Sequence, residues 1–306
     1  MADLILHHFP SSPFAEKIRC ILGFKGLAWD SVEIPRVPPK PDVVALTGGY
    51  RRTPVLQIGA DVFCDTFAIA HELERRYPTP TLFPSPSHGV AAILGAWAEK
   101  VLFLDVVGTV FGTHAAQLPQ DLKDDRRRFS DGLLDADRFA ADQPHIRGQL
   151  RSHLFWVEHC FDDGRAFLTG DAPSYADFCL YPSVWMLRGR VPDLGLLDPL
   201  PRVQAWMERI EAFGHGTSTA ITSEDAIWRA RNATPEPPHL THPDTVSGFT
   251  AGEQVTVAPD DYGRDPVEGT LVALSAQHVV IERTDPRAGT VRVHFPRAGY
   301  RLTRVV

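Results

Sequence analysis

Leu4-Ile5-Leu6-His7-His8, Phe9-Pro10-Ser11-Ser12-Pro13 and Phe14-Ala15-Glu16-Lys17-Ile18-Arg19-Cys20-Ile21-Leu22 follow one another without interruption. The first run is a compact apolar strand, and the second is a turn held by two prolines. In the third, Phe14, Ile18, Ile21 and Leu22 recur at helical spacing, and Gly23 and Gly26 mark the end of that helix. Proline suits the first helical position, where its missing N–H would lack a partner anyway, so Ser12 falls at the N-cap. Strand, tight turn and capped helix in this order begin an α/β unit.

Outward from that unit the alternation continues. Residues 29–34 read as a second strand, and the Pro-rich stretch from Pro35 to Pro41 must be extended or looped. Val55 to Ile58 and Val62 to Cys64 flank Gly59-Ala60-Asp61, a hairpin signal. From Thr66 to Tyr77 an amphipathic helix carries Ile69, Leu73 and Tyr77 on one side and stops at Pro78 and Pro80. The order β-α-β-α-β-β-α implies a mixed sheet with helices packed on it, over a first domain of residues 1–82. Residues 83–87, Phe-Pro-Ser-Pro-Ser, form a stiff linker.

From 88 to about 233 no strand alternation competes with the helical period. Long helices fit residues 90–112, 144–160, 174–187, 201–213 and 223–232, an all-α domain. A second Pro-rich linker begins at Thr234-Pro235-Glu236-Pro237-Pro238. Beyond it, residues 248–306 alternate in short runs such as Gln254-Val255-Thr256-Val257 and His278-Val279-Val280-Ile281-Glu282. Turns between these runs predict a small all-β, barrel-like domain.

Composition excludes several classes of function. The 306 residues carry 31 Lys+Arg against 38 Asp+Glu, a net charge of -7, which offers no general attraction to nucleic acid or anionic lipid. The terminal segment is no exception, because its seven arginines are balanced by seven acidic residues. Cys20, Cys64, Cys160 and Cys179 are scattered without a CxxC pair, which points to reduced thiols and against a disulfide framework or structural zinc. His153 and His159 lack the spacing of a helical metal pair, and His239 and His242 stand in a Pro-rich linker, so no metal is expected. Met1-Ala2-Asp3 precedes the first strand with no basic, apolar leader, and the most apolar stretch, Val101 to Phe111, is broken by Asp105. The expectation is a cytoplasmic protein without a membrane span.

Three motifs are candidates for chemistry. Beside the Ser12 hydroxyl, the positive end of the helix dipole would stabilise a thiolate over a thiol, whereas a plain helix cap is the simpler reading of Ser-Pro. Arg52-Thr53-Pro54-Val55 places a proline before a short buried strand, a common setting for a cis peptide bond that turns the preceding backbone N–H and C=O outward. Asp65-Thr66 lies between a strand end and a helix start. There an acid could pair with a ligand ammonium while Thr66 binds a carboxylate, although either residue could simply cap the helix. Ser174-Tyr175-Ala176-Asp177 reads as a capping box, a folding device. His7 and His8 end the first strand near these motifs, but neighbours on a strand point to opposite faces, and neither is assigned a catalytic role. Cys20, two helical turns beyond Ser12, belongs to the core.

Together these motifs resemble the glutathione transferase superfamily over residues 1 to about 215. Ser12-Pro13-Phe14-Ala15-Glu16-Lys17-Ile18-Arg19 is similar to the active-site helix start of the serine and omega-type classes, the latter carrying Cys where this chain has Ser12. Arg52-Thr53-Pro54-Val55 looks like the family's cis-proline turn, and Asp65-Thr66 like its pair for the γ-glutamyl end of glutathione. The resemblance implies a thioredoxin-like domain, a linker and an all-helical domain, with the β-rich tail departing from the usual architecture. It implies glutathione as co-substrate, with Ser12 donating to the sulfur and Phe14, Arg52, Thr53, Pro54, Asp65 and Thr66 forming the binding set. A small hydrophobic electrophile is expected between the domains, against the helix bearing Trp97, Phe103 and Phe111. A homodimer is implied as well. The alternative is a non-catalytic binding or regulatory protein that uses its terminal β domain to recruit a partner.

Overall fold

The computed structural model describes residues 3–305. Met1 and Ala2, where no leader is expected, and Val306, the last residue of the expected β domain, lie outside the described residues. In chain order the first elements are β1 (Leu4–His8), α1 (Pro13–Phe24), β2 (Ala28–Glu33), α2 (Pro41–Thr47), β3 (Val55–Ile58), β4 (Asp61–Cys64) and α3 (Thr66–Arg76). Helices follow: α4 (His88–Trp97), α5 (Phe103–Thr113), α6 (Gln120–Phe129), α7 (Ala136–Ala141), α8 (Gln143–His159), α9 (Tyr175–Arg190) and α10 (Pro201–Glu211). The chain ends in β5 (Thr217–Ala220), α11 (Ser223–Arg231), β6 (Gln254–Pro259), β7 (Val267–Leu274), β8 (His278–Asp285), β9 (Gly289–Pro296) and β10 (Tyr300–Arg304).

These elements form two compact units. One comprises residues up to 15, 27–73 and 217 onward; the other comprises 16–26 and 74–216. In the first unit all ten strands join one sheet in the order β10-β6-β7-β8-β9-β4-β3-β1-β2-β5. The β-α-β-α-β-β-α order expected for the first domain is present. The expectation of a separate barrel-like domain gives way, because the terminal strands are an additional segment of the same sheet. The junction is β9, which runs parallel to β4 with Asp61 opposite Arg292 and Phe63 opposite His294. Side chains reinforce it. His294 Nε2 lies 2.7 Å from Asp61 Oδ1, and its ring stacks on Phe63 with centroids 4.3 Å apart.

One core cluster joins the first and last strands of this unit. Ile5, Val55 and Val62 of the first strands share it with Val257, Val279, Ile281 and Phe295 of the last. Along β6 and β7 every second residue faces this core, the period of a strand with one buried side. β5 corrects the reading of 88–233 as strand-free. Its four small, exposed residues pair in parallel with β2, and four such residues carry no apolar alternation to detect.

In the second unit, the single helix expected over 90–112 is interrupted. A wider π-helical turn at Ala98–Leu102 separates α4 from α5. That turn carries Glu99, whose Oε1 accepts from Lys17 Nζ at 2.6 Å, and Lys17 also donates to the Tyr175 hydroxyl at 2.9 Å. Two further helices, α6 and α7, stand in stretches where the sequence reading placed no helix. The capping box before α9 is formed as expected. Asp177 accepts from the Ser174 backbone and hydroxyl and also from Leu168 N–H and Trp206 Nε1–H.

Candidate functional site

The register of three strands brings the sequence motifs to one end of the sheet. His7 near the end of β1 is opposite Val55 at the start of β3, and Val55 is opposite Cys64 at the end of β4. The residues that follow β1, precede β3 and follow β4 therefore emerge from the same edge. These are the segments of Ser12-Pro13-Phe14, Arg52-Thr53-Pro54 and Asp65-Thr66.

Ser12 is buried and caps α1, with its Oγ accepting from Ala15 N–H at 3.2 Å and its own N–H donating to Phe9 carbonyl at 3.1 Å. The cap uses a lone pair, so the hydroxyl proton remains available to a ligand. Phe14, half-buried, follows in the first turn of the helix. Thr53-Pro54 is a cis peptide, as expected. Sequence reasoning did not single out Lys40, whose Nζ donates to Thr53 Oγ1 at 3.3 Å and lies 5.7 Å from the Phe9 ring centre. Its signal was the neighbouring run Pro38-Pro39-Lys40-Pro41, a stiff segment holding a single cation.

Asp65 adopts a left-handed backbone, with φ of 79°, a region that Asp tolerates better than most residues. Its Oδ1 accepts from Phe67 N–H at 2.9 Å, so it does cap the helix that starts at the buried Thr66. Its Oδ2 accepts from the Tyr300 hydroxyl at 2.9 Å, and Tyr300 in turn meets the Tyr50 hydroxyl at 3.0 Å. Burial, reinforced by the Asp65 charge, pushes both phenols well above the ordinary tyrosine range, so they stay protonated. Arg52 is also engaged from the terminal segment. It pairs with the Asp261 carboxylate, donates to the Tyr262 carbonyl and lies 4.5 Å over the Tyr262 ring. A substrate carboxylate at Arg52 would compete with Asp261 for the Nη2 donor.

The two histidines beside the site have structural partners. His7 Nε2 is 2.9 Å from Gln57 Oε1, and burial lowers its pKa to about 4, which keeps it neutral. His8 meets Ser31 Oγ at 2.9 Å and packs edge-on to Trp29. For metal chemistry, Glu16, Cys20 and His215 bring ligand atoms within 4.8 Å of one another among the described residues. Glu16 is already matched there by Arg19 at 2.6 Å and His215 at 2.9 Å, and burial with the Glu16 charge raises the Cys20 pKa, which disfavours the thiolate a metal would need. Trp97, expected to line an electrophile site, packs edge-on to His153. None of the described helices is long and apolar enough to cross a membrane.

Comparison with known proteins adds relatives to this geometry. The N-terminal domain family of glutathione S-transferases matches residues 6–81, and the corresponding C-terminal domain family matches residues 113–209. The crystal structure of a GST-like protein from Pseudomonas syringae is 40% identical, with 100% of each chain covered and a TM-score of 0.78. That likeness includes the terminal strands. A maleylpyruvate isomerase from a Ralstonia species is 24% identical over 233 residues, 70% of this chain and 97% of the relative. A glutathione S-transferase from Methylobacterium radiotolerans, solved with glutathione sulfonate, shares the fold at 21% identity and a TM-score of 0.51, over 72% of this chain and 97% of its own.

Proposed function

The chain belongs to the glutathione transferase superfamily, and from that membership we propose a glutathione-dependent transferase that activates the glutathione thiol for attack on a small hydrophobic electrophile. The observation that carries this reading is the convergence of Ser12, the Thr53-Pro54 turn and Asp65-Thr66 at one end of the sheet. The cysteinyl backbone of glutathione would lie along Thr53. Its ammonium would pair with Asp65, and its γ-glutamyl carboxylate would take the Thr66 end of α3. Lys40, beside Thr53, would supply a cation for a further glutathione carboxylate. Phe14 and Pro54 supply apolar walls next to the sulfur.

Ser12 need not ionise. Its hydroxyl donates to the sulfur and favours S⁻ over SH, while the thiol proton passes to solvent. A charge-assisted hydrogen bond of this kind contributes about 1.5–3 kcal/mol, roughly one to two pKa units. The thiolate then forms a C–S bond to the electrophilic carbon, which expels a leaving group with its bonding pair or passes the pair to a conjugated carbonyl that water protonates.

Titration calorimetry with glutathione and a thioether-forming assay on an activated haloarene test this reading. Micromolar to millimolar binding with turnover supports it, and no binding at millimolar glutathione overturns it. The rival is a binding or regulatory protein without turnover, favoured by the hold of Tyr300 and Asp261 on Asp65 and Arg52. It predicts glutathione binding with no thioether from any electrophile. The same proposal includes a cytoplasmic homodimer, and a monomeric mass by light scattering at micromolar concentration would count against the dimer.

A further inference from the structure

The terminal sheet segment reaches back to the Asp65 carboxylate through a tyrosine hydroxyl. Tyr300 donates to Asp65 Oδ2 at 2.9 Å; since its proton is committed there, the 3.0 Å contact with Tyr50 has Tyr50 as donor. The result is a one-way chain, Tyr50 to Tyr300 to Asp65. Both phenols are buried, at 3% and 5% exposure, so no water competes for these bonds. Their rings are fixed by Phe295, at 5.9 Å from Tyr50 and 5.6 Å from Tyr300. Asp65 itself is only half-buried and sits in a left-handed turn.

We propose that Tyr300 is a positioning residue for ammonium recognition, holding the Asp65 carboxylate so that its remaining lone pairs face the γ-glutamyl amine. An ionised carboxylate offers about four acceptor positions, and among the described residues Phe67 N–H takes one and the Tyr300 hydroxyl another. An ammonium brings three donors and needs an acceptor that does not rotate. Phe67 N–H holds one oxygen, and the Tyr300 phenol holds the other. Neutral donors held above their ordinary pKa cannot leave the carboxylate as anions at physiological pH. Tyr300 therefore acts on the ligand through Asp65 and never touches the sulfur. Arg52, clamped to Asp261 and stacked on Tyr262, anchors the same terminal segment beside Asp65.

This inference rests on glutathione binding at Asp65, and its test separates the two. Affinities of wild type and Tyr300→Phe are measured by titration calorimetry for glutathione and for its analogue lacking the γ-glutamyl amine. The expected result is a loss of about five- to tenfold for glutathione in the variant with the analogue unchanged, so kcat at saturating glutathione also stays put. In an Asp65→Asn background the further change Tyr300→Phe should make no difference to either ligand. Equal losses for both ligands, unchanged affinity for glutathione, or tighter glutathione binding overturns the proposal while leaving the transferase reading intact. A wild type that binds neither ligand overturns both. If Tyr300→Phe does not fold, Tyr50→Phe removes the donor behind Tyr300 and should weaken glutathione alone by a smaller factor; no selective loss there overturns the positioning role.

Discussion

Ser12 divides its hydroxyl between two tasks, accepting from the helix it caps and keeping a proton for the ligand. Ser12→Ala removes both. The cap loss costs about 0.5–2 kcal/mol of stability, so the variant's unfolding midpoint must be measured before its kinetics are read. The loss of the donor should raise the apparent pKa of bound glutathione by about one to two units and lower turnover at neutral pH, with a smaller change in glutathione affinity. A pH–rate profile from 6 to 9 checks this, and Ser11→Ala serves as the control one residue outside the cap. His7 supplies a second prediction. Its folded pKa, about 4, lies below the unfolded 6.5 because burial disfavours the imidazolium. The neutral ring is thus compatible with folding above pH 6.5, and as pH falls toward 4 the unfolded chain binds a proton that the native one refuses. Stability should decline over that window by about 3 kcal/mol from this group. Thermal melts of wild type and His7→Leu between pH 4 and 7 should show the shallower pH dependence in the variant.

At the scale of elements, the capping box before α9 carries more than its own helix. Asp177, buried, accepts from two backbone amides, a hydroxyl and the Trp206 indole, so it ties the 168 loop and α10 to the start of α9. Asp177→Ala strands all four donors away from water and should cost about 3–5 kcal/mol, whereas Asp177→Asn, which keeps one carbonyl acceptor, should cost less. Denaturant unfolding of the two variants checks the order. Ser-x-x-Asp was legible as a cap because the pattern is local, but the Trp206 and Leu168 contacts are not, since they join residues that only folding brings together. The same distinction separates the other elements. Strong periodicity announced α1, α3 and α8, and the Gly59-Ala60 turn announced the β3–β4 hairpin. α6, rich in Asp and Arg, offers only Leu122 and Phe129 as apolar signals, and β5, made of small exposed residues, has no apolar period to read.

At the scale of the whole first unit, Ser12, the cis-proline turn and Asp65-Thr66 were legible because each motif sits where a strand meets a turn. Tyr50, Tyr300 and Asp261 were not, because more than 200 residues separate the terminal segment from the groups it holds. Nor was the fusion of the two strand regions, since alternation in residues 254–304 fits a closed barrel as well as an extension of another sheet. Fusion changes what truncation means. Ending the chain at residue 233 would strip β9 from β4, open a fully buried edge strand and remove half of a shared core. The truncated protein should be insoluble or lose its cooperative unfolding transition, as expression yield and a thermal melt would show. A soluble, cooperatively melting product would mean that the terminal strands are detachable after all.

The β4–β9 pairing also has a temporal consequence. Asp61 and Arg292 become neighbours in the sheet although they leave the ribosome far apart, and at about 5–20 residues per second the gap between them lasts on the order of ten seconds or more. Through that interval the nascent chain carries a nearly finished N-terminal half whose β4 edge has no permanent neighbour. Synthesis, rather than sequence-local folding, thus sets the earliest moment at which the sheet can close, and any newborn chain that meets another in the meantime offers it the same open strand.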